Sequence, residues 1–257
     1  MKIDAAASST RRCALAWAAV AVLATLGMLS DPASAAPFEN TVAQRVLACT
    51  GCHGREGRAA ADGYYPRIAG KPAGYLFNQL RNFRDGRRHY ELMSGLLELL
   101  DDDYLREIAA YFSSLDLPYP APAPLVGSAA QRADGEALVR RGDAKRGLPA
   151  CNDCHGAAMT GRAPFVPGLL GLPRDYLNAQ LGAWKTGHRR AASPDCMAQV
   201  AERMSNDDIG AVSAWLAAQP VPAHAVADAA STAPWPIACG SVAAEPAGAT
   251  PTRGTGR

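Results

Sequence analysis

The pentapeptide Cys49-Thr50-Gly51-Cys52-His53 recurs 102 positions later as Cys151-Asn152-Asp153-Cys154-His155. Two thiols three positions apart, with a histidine directly after them, is the spacing of covalent c-type haem attachment. The thiols add across the two vinyl groups, and the adjoining imidazole offers the iron a ring nitrogen. Each pentapeptide therefore fixes one porphyrin edge and one axial ligand together, and the chain must fold around two such groups. Two other chemistries use paired cysteines. A pair of Cys-x-x-Cys units can build a four-thiolate zinc knuckle, but those units usually lie much closer together and need no following histidine. A thioredoxin-type dithiol expects a βαβ context, which is missing here. The expectation is two covalently bound haem c groups, held by Cys49, Cys52, Cys151 and Cys154, with His53 and His155 on the irons.

The N-terminus points to the compartment where such haems are attached. Lys2, Arg11 and Arg12 form a basic start, Ala14 to Leu29 is an apolar run, and Ala33-Ser34-Ala35 gives a small-x-small cleavage pattern. The run has the length of a signal-peptide core and is shorter than the ~20 residues of a spanning helix. Residues 1–35 are read as a cleaved signal peptide and the mature chain as periplasmic. Cys13 lacks the apolar, small-residue context of a lipoprotein cysteine. Four of the seven cysteines hold haem and Cys13 leaves with the signal. Cys196 and Cys239 remain. They can pair in an oxidising periplasm, stay as free thiols, or offer Cys196 to an iron. The net charge of +2 argues against a nucleic-acid partner.

The rest of the chain is one pattern written twice. Pro66-Arg67-Ile68-Ala69-Gly70 returns as Pro167-Gly168-Leu169-Leu170-Gly171. Tyr75-Leu76-x-x-Gln79-Leu80-x-x-Phe83-x-x-Gly86 returns as Tyr176-Leu177-x-x-Gln180-Leu181-x-x-Trp184-x-x-Gly187, and Met93 returns as Met197. Helical spacing runs through these motifs and through Leu105, Ile108, Phe112 and Ile209, Val212, Leu216. Asp101 and Ser205 suit N-caps, with Asp208 completing a capping box. No alternating strand pattern stands out. The fold class is all-α, with domains at 36–117 and 128–220. Between them, residues 118–127 form an extended Pro-rich linker, and residues 221–257 form a largely irregular tail.

A haem bound only by the pentapeptide histidine keeps one face open. A thioether there gives a six-coordinate, higher-potential iron suited to electron transfer. Met93 lies 40 positions after His53 and Met197 lies 42 after His155. Both are expected as the second axial ligands. Met159 and Met204 are expected in the core, and His89 and His188 in solvated loops. The Pro of each Pro-x-x-x-Gly motif is expected to accept a hydrogen bond from the haem histidine through its carbonyl. Arginines 81, 84, 87, 88, 189 and 190 are candidates to meet haem propionates.

Taken together these motifs resemble the cytochrome c4 family over roughly residues 40 to 220. Gly142-Asp143-Ala144-Lys145-Arg146-Gly147-Leu148-Pro149-Ala150-Cys151 is similar to that family's approach to its second haem. The resemblance implies two tandem class I cytochrome c domains related by a pseudo-twofold. It implies single-electron transfer between a periplasmic or membrane dehydrogenase and an acceptor such as a terminal oxidase, with loose membrane association in some members. It assigns His53 and Met93 to one iron, His155 and Met197 to the other, and no catalytic residue. The chain departs from the pattern in Cys196, in a second loop three residues longer between glycine and methionine, and in its tail. Those departures leave room for a dihaem enzyme of peroxidase or thiosulfate-oxidising type, or for a tightly bound subunit of a dehydrogenase complex.

Overall fold

The computed structural model describes residues 39–59, 63–223, 225–230 and 234–242. The expected signal peptide, His224 and the last part of the tail lie outside the described residues.

In the first repeat, α1 (Val42–Arg45) runs through Val46 into α2 (Leu47–His53), which carries the first pentapeptide. A long connection leads to α3 (Ala73–Arg84), then α4 (Glu91–Leu97) and α5 (Asp102–Ser113). Asp101 caps α5 by accepting from the Tyr104 amide at 2.8 Å, which satisfies one of the orphan donors of the first turn. Leu105, Ile108, Ala109 and Phe112 follow one face of α5 and pack on Leu76, Phe77 and Phe83 of α3. Val46 closes this core from the N-terminal side.

The second repeat begins with α6 (Ala129–Arg141), started by a Ser128–Gln131 capping box. It continues through α7 (Cys151–His155), α8 (Arg174–Lys185), α9 (Cys196–Arg203) and α10 (Asn206–Ala217). Ser205 and Asp208 form the expected capping box at α10, at 3.0 and 2.7 Å. Met159 and Met204 are buried in this core beside Val212, Trp215 and Leu216. Gly135 of α6 lies so near α10 that a Cβ there would sit 2.4 Å from the Ala211 carbonyl oxygen. Only a glycine allows that crossing.

Two differences from the sequence reading appear. A minimal antiparallel hairpin, β1 (Gly161–Arg162) with β2 (Val166–Pro167), stands where no strand was expected. Two residues per strand are too few to show alternation. The linker is also more than a spacer. Arg67 donates to the Pro118 carbonyl at 3.0 Å and lies 3.9 Å over the Tyr119 ring. The Ala123 amide donates to the Ala217 carbonyl at the end of α10.

The seam between the repeats is built twice over. Backbone pairing joins the Gly-x-Arg loops, with His89 N–H donating to the His188 carbonyl at 2.9 Å and Arg190 N–H to the Arg87 carbonyl at 2.7 Å. The Tyr75 amide donates to the Pro164 carbonyl, and the Phe165 ring lies where Gly74 has no side chain.

Candidate haem sites and the seam between them

His53 ends α2 and His155 ends α7, and both rings are buried. Nδ1 of His53 lies 2.8 Å from the Pro66 carbonyl oxygen, and Nδ1 of His155 lies 2.8 Å from that of Pro167. A carbonyl only accepts, so Nδ1 carries the proton in both rings. Nε2 is left with its lone pair, the tautomer a metal ligand needs. Burial holds both imidazoles below the usual histidine pKa, against the opposing pull of the carbonyl bonds. The rings are neutral donors at neutral pH.

The pentapeptide cysteines are free of disulfides. Burial pushes the Cys151 thiol up to about 12 and raises Cys49 and Cys154 as well. Such thiols are protonated at neutral pH and poor nucleophiles in disulfide exchange. Among the described residues no group of three or more His, Cys, Asp or Glu side chains gathers to hold a metal ion. Asp153, inside the second pentapeptide, accepts from the Ala150 amide at 3.1 Å and fixes the start of α7.

Met93 is the third residue of α4 and packs partly buried against the first core. Met197 is the second residue of α9 and is also partly buried. Cys196, beside it, is bonded to Cys239, so it is not available as a thiolate ligand. His89 and His188 are exposed. Both sit on the seam, where their backbones pair.

The seam contains the feature the sequence reading did not isolate. Arg88 and Arg189 are buried, at 9 and 4 % exposure. Arg88 donates to the amide oxygens of Gln79 (3.1 Å) and Gln180 (2.6 Å). Arg189 donates to the same two oxygens, at 2.8 Å each. Their remaining hydrogen-bond partners are the hydroxyls of Tyr176 and Tyr75, and the guanidiniums lie over the Phe83 and Trp184 rings. All of these are neutral. Among the described residues neither guanidinium meets a carboxylate, and a buried charge without a counter-charge costs several kcal/mol. Two carboxylate-bearing groups delivered to this seam would supply what the protein omits, and haem propionates have that chemistry. The pairing of Gln79 with Gln180 and Tyr75 with Tyr176 was visible as repeat motifs. What hid the arrangement is that each motif completes the other copy as well as its own.

Neutral imidazoles held by proline carbonyls, four unpaired thiols and buried unneutralised arginines together define a dihaem c-type protein. No family model matches the chain. It is 42 % identical over 206 residues to the thiosulfate dehydrogenase electron acceptor of Thiomonas intermedia, covering 79 % of this chain and 91 % of that one. It is 35 % identical to cytochrome c4 of Pseudomonas aeruginosa, covering 77 % of this chain and 96 % of the relative. The solved structure of cytochrome c4 from Pseudomonas stutzeri matches with a TM-score of 0.58 at 33 % identity, covering 68 % of this chain and 94 % of that chain. That of thiosulfate dehydrogenase from Marichromatium purpuratum matches with a TM-score of 0.59 at 37 % identity, and this chain covers 36 % of it. The chain belongs to the cytochrome c4 family. It carries two covalent haem c groups and moves single electrons between redox proteins.

Proposed function

We propose that this protein is the electron acceptor of a periplasmic dehydrogenase, with a thiosulfate dehydrogenase as the donor, and that it activates no substrate itself. The likeness to the Thiomonas intermedia electron acceptor carries the reading. A second relative with that printed name, from Stutzerimonas stutzeri, is 35 % identical over 206 residues. In this reading Cys49, Cys52 and His53 hold the first haem and Cys151, Cys154 and His155 the second. Met93 and Met197 fill the sixth positions. The bound haems supply a reversible one-electron couple, and the protein sets their potentials through ligands, burial and hydrogen bonds. The Cys196–Cys239 disulfide supports a carrier over an enzyme, because it removes the thiolate that a reactive second site would use.

The domain limits 36–117 and 128–220, with the linker at 118–127 and the tail from 221, belong to the same proposal. So does export to the periplasm behind a signal at 1–35. No helix among the described residues is long and apolar enough to cross a membrane.

The test is a magnetic-circular-dichroism spectrum of the oxidised holoprotein. A far-red iron–thioether band of intensity sufficient for both haems is expected. High-spin iron or a thiolate signature at either haem would replace the carrier reading with an enzymatic one. Reduction by a purified thiosulfate dehydrogenase with thiosulfate then tests the donor.

A further inference from the structure

The two methionine-bearing helices are equivalent by repeat, yet their outer faces differ. Aligning Met93 with Met197 places Leu92, Leu96 and Leu99 opposite Cys196, Val200 and Arg203. In the second repeat the tail is fastened to the start of this helix. The tail is bonded to Cys196 through Cys239, and the Gly240 amide donates to the Pro194 carbonyl at 2.8 Å. Earlier in its course the tail grips the His155 side of the same repeat. Asp228 accepts from the Ala157 amide at 3.2 Å, and its own amide donates to the Gly161 carbonyl at 2.8 Å. The described parts of the tail thus touch both the histidine-bearing segment and the methionine-bearing helix.

In the first repeat the same face is uncovered. Leu92, Leu96 and Leu99 are 64, 47 and 91 % exposed. Leu92 and Leu96 are one turn apart on α4, and Leu99 follows three positions later, beside the stripe of Met93, Leu97 and Leu100 that turns inward. Residues 91–103 hold five carboxylates and neither Lys nor Arg. Asp102 is committed to Arg84 and Asp103 to Arg106, while Glu91, Glu98 and Asp101 stand exposed around the leucines. Arg84 and Arg106 are held by Asp102 and Asp103 beside the patch, so exposed apolar side chains with three carboxylates outside these ion pairs around them have the anatomy of an electron-transfer docking site.

We propose that redox partners dock on this face of the first repeat, and that the fitting partner is a redox protein whose electron-transfer surface is an apolar patch ringed by Lys and Arg. In the second repeat the tail is bonded to the position equivalent to Leu92, and the position equivalent to Leu99 is the basic Arg203. The proposal rests on the electron-carrier role and names its port. At that port one electron leaves a reduced carrier and reduces the partner, with no atom or proton exchanged.

The test uses holoprotein and a lysine-rich mitochondrial cytochrome c as the basic probe. With both proteins oxidised, so that no electron moves, binding is titrated at low ionic strength. Glu91→Lys with Glu98→Lys should weaken binding ~10-fold and flatten its salt dependence. Leu96→Gln with Leu99→Gln should weaken it by a similar factor at all salt concentrations. Arg203→Glu, at the position equivalent to Leu99 in the second repeat, should change it less than 2-fold. Stopped-flow oxidation of the reduced carrier by the probe should follow the same order. Oxidation by ferricyanide should be the same in all variants, and a loss there would mark a damaged carrier instead of a misplaced port. Unchanged binding in both first-repeat variants, or a larger effect at Arg203, overturns the proposal. A wild type that dimerises in sedimentation, and is made monomeric by Leu96→Gln, also overturns it in favour of a second copy of this chain as the occupant.

Discussion

Arg88 of the first repeat donates to Gln180 of the second at 2.6 Å, and its counterpart Arg189 returns the contact to Gln79 at 2.8 Å. Each glutamine oxygen also accepts from the arginine of its own repeat. Two amide oxygens therefore serve four charged hydrogen bonds.

Replacing one of those oxygens should be costly. Gln79→Leu removes two hydrogen bonds from charged donors and leaves both guanidiniums short of an acceptor. Urea unfolding of the holoprotein should show a loss of about 2–3 kcal/mol. Gln180→Leu should behave alike. The double variant should depart from additivity, because the two amides share both donors.

Lys71 makes a pH-dependent prediction. It is buried at the seam and donates to the Gly168 carbonyl at 3.1 Å. Arg67, Tyr119 and His155 are the ionisable groups around it. Burial, with the Arg67 charge second, brings its pKa down to about 8. Below that pH the ammonium is charged in both folded and unfolded chains, and its burial cost is fully present. Between about 8 and the ordinary value near ~10.4 the unfolded chain holds a proton that the folded one lacks, so stability rises with pH. Lys71→Met should thus stabilise the protein at pH 7 by roughly 2–3 kcal/mol. The gain should vanish above pH ~10. Denaturation at the two pH values checks the sign, and an equal gain at both would show that packing, not charge, is responsible.

Two helix glycines should respond oppositely to the same change. Gly135→Ala forces a methyl against the Ala211 carbonyl, where α6 crosses α10. It should lower stability by about 2–3 kcal/mol. Gly210→Ala, on α10 with nothing beyond its own helix backbone within 4 Å of the new Cβ, should raise it by ~0.5–1 kcal/mol. Thermal melts of the two variants, side by side, decide it.

Exchanging the proposed thioether for an imidazole should move one potential and spare the other. Met197→His should lower the second haem by on the order of 0.2 V, within the ~0.8 V that axial ligands command. Met93→His should do the same at the first haem. Spectroelectrochemical titration reads both. A potential that does not move would remove that methionine from the iron.

Much of this architecture was legible because it is local. The Asp101 and Ser205 caps, the α5 and α10 faces, and the core places of Met159 and Met204 follow from spacing within a dozen residues. The bonds from His53 to Pro66 and from His155 to Pro167 were legible for another reason, since a metal-binding imidazole needs a partner for its other nitrogen. The seam was not. Arg88 and Arg189 sit in loops whose composition reads as solvated, and only the second copy makes them buried. Lys71 stands where the other repeat has Leu172, and a single lysine carries no periodic signal. The tail lays Trp235 against Arg162. It hid Asp228, because an aspartate in an Ala-rich stretch looks like ordinary surface.

The Tyr119 ring fits against Arg67 of one repeat and into the space left by Gly171 of the other, where a Cβ would lie 2.3 Å from the ring. A connector anchored at both ends is inherited differently from a free one. Descendants of this gene can alter the residues that greet a partner one at a time. They cannot lengthen or shorten the run between Pro118 and Pro124 without sliding that ring out of its notch. Recombination that exchanged halves between relatives would have to carry linker, arginine and glycine together.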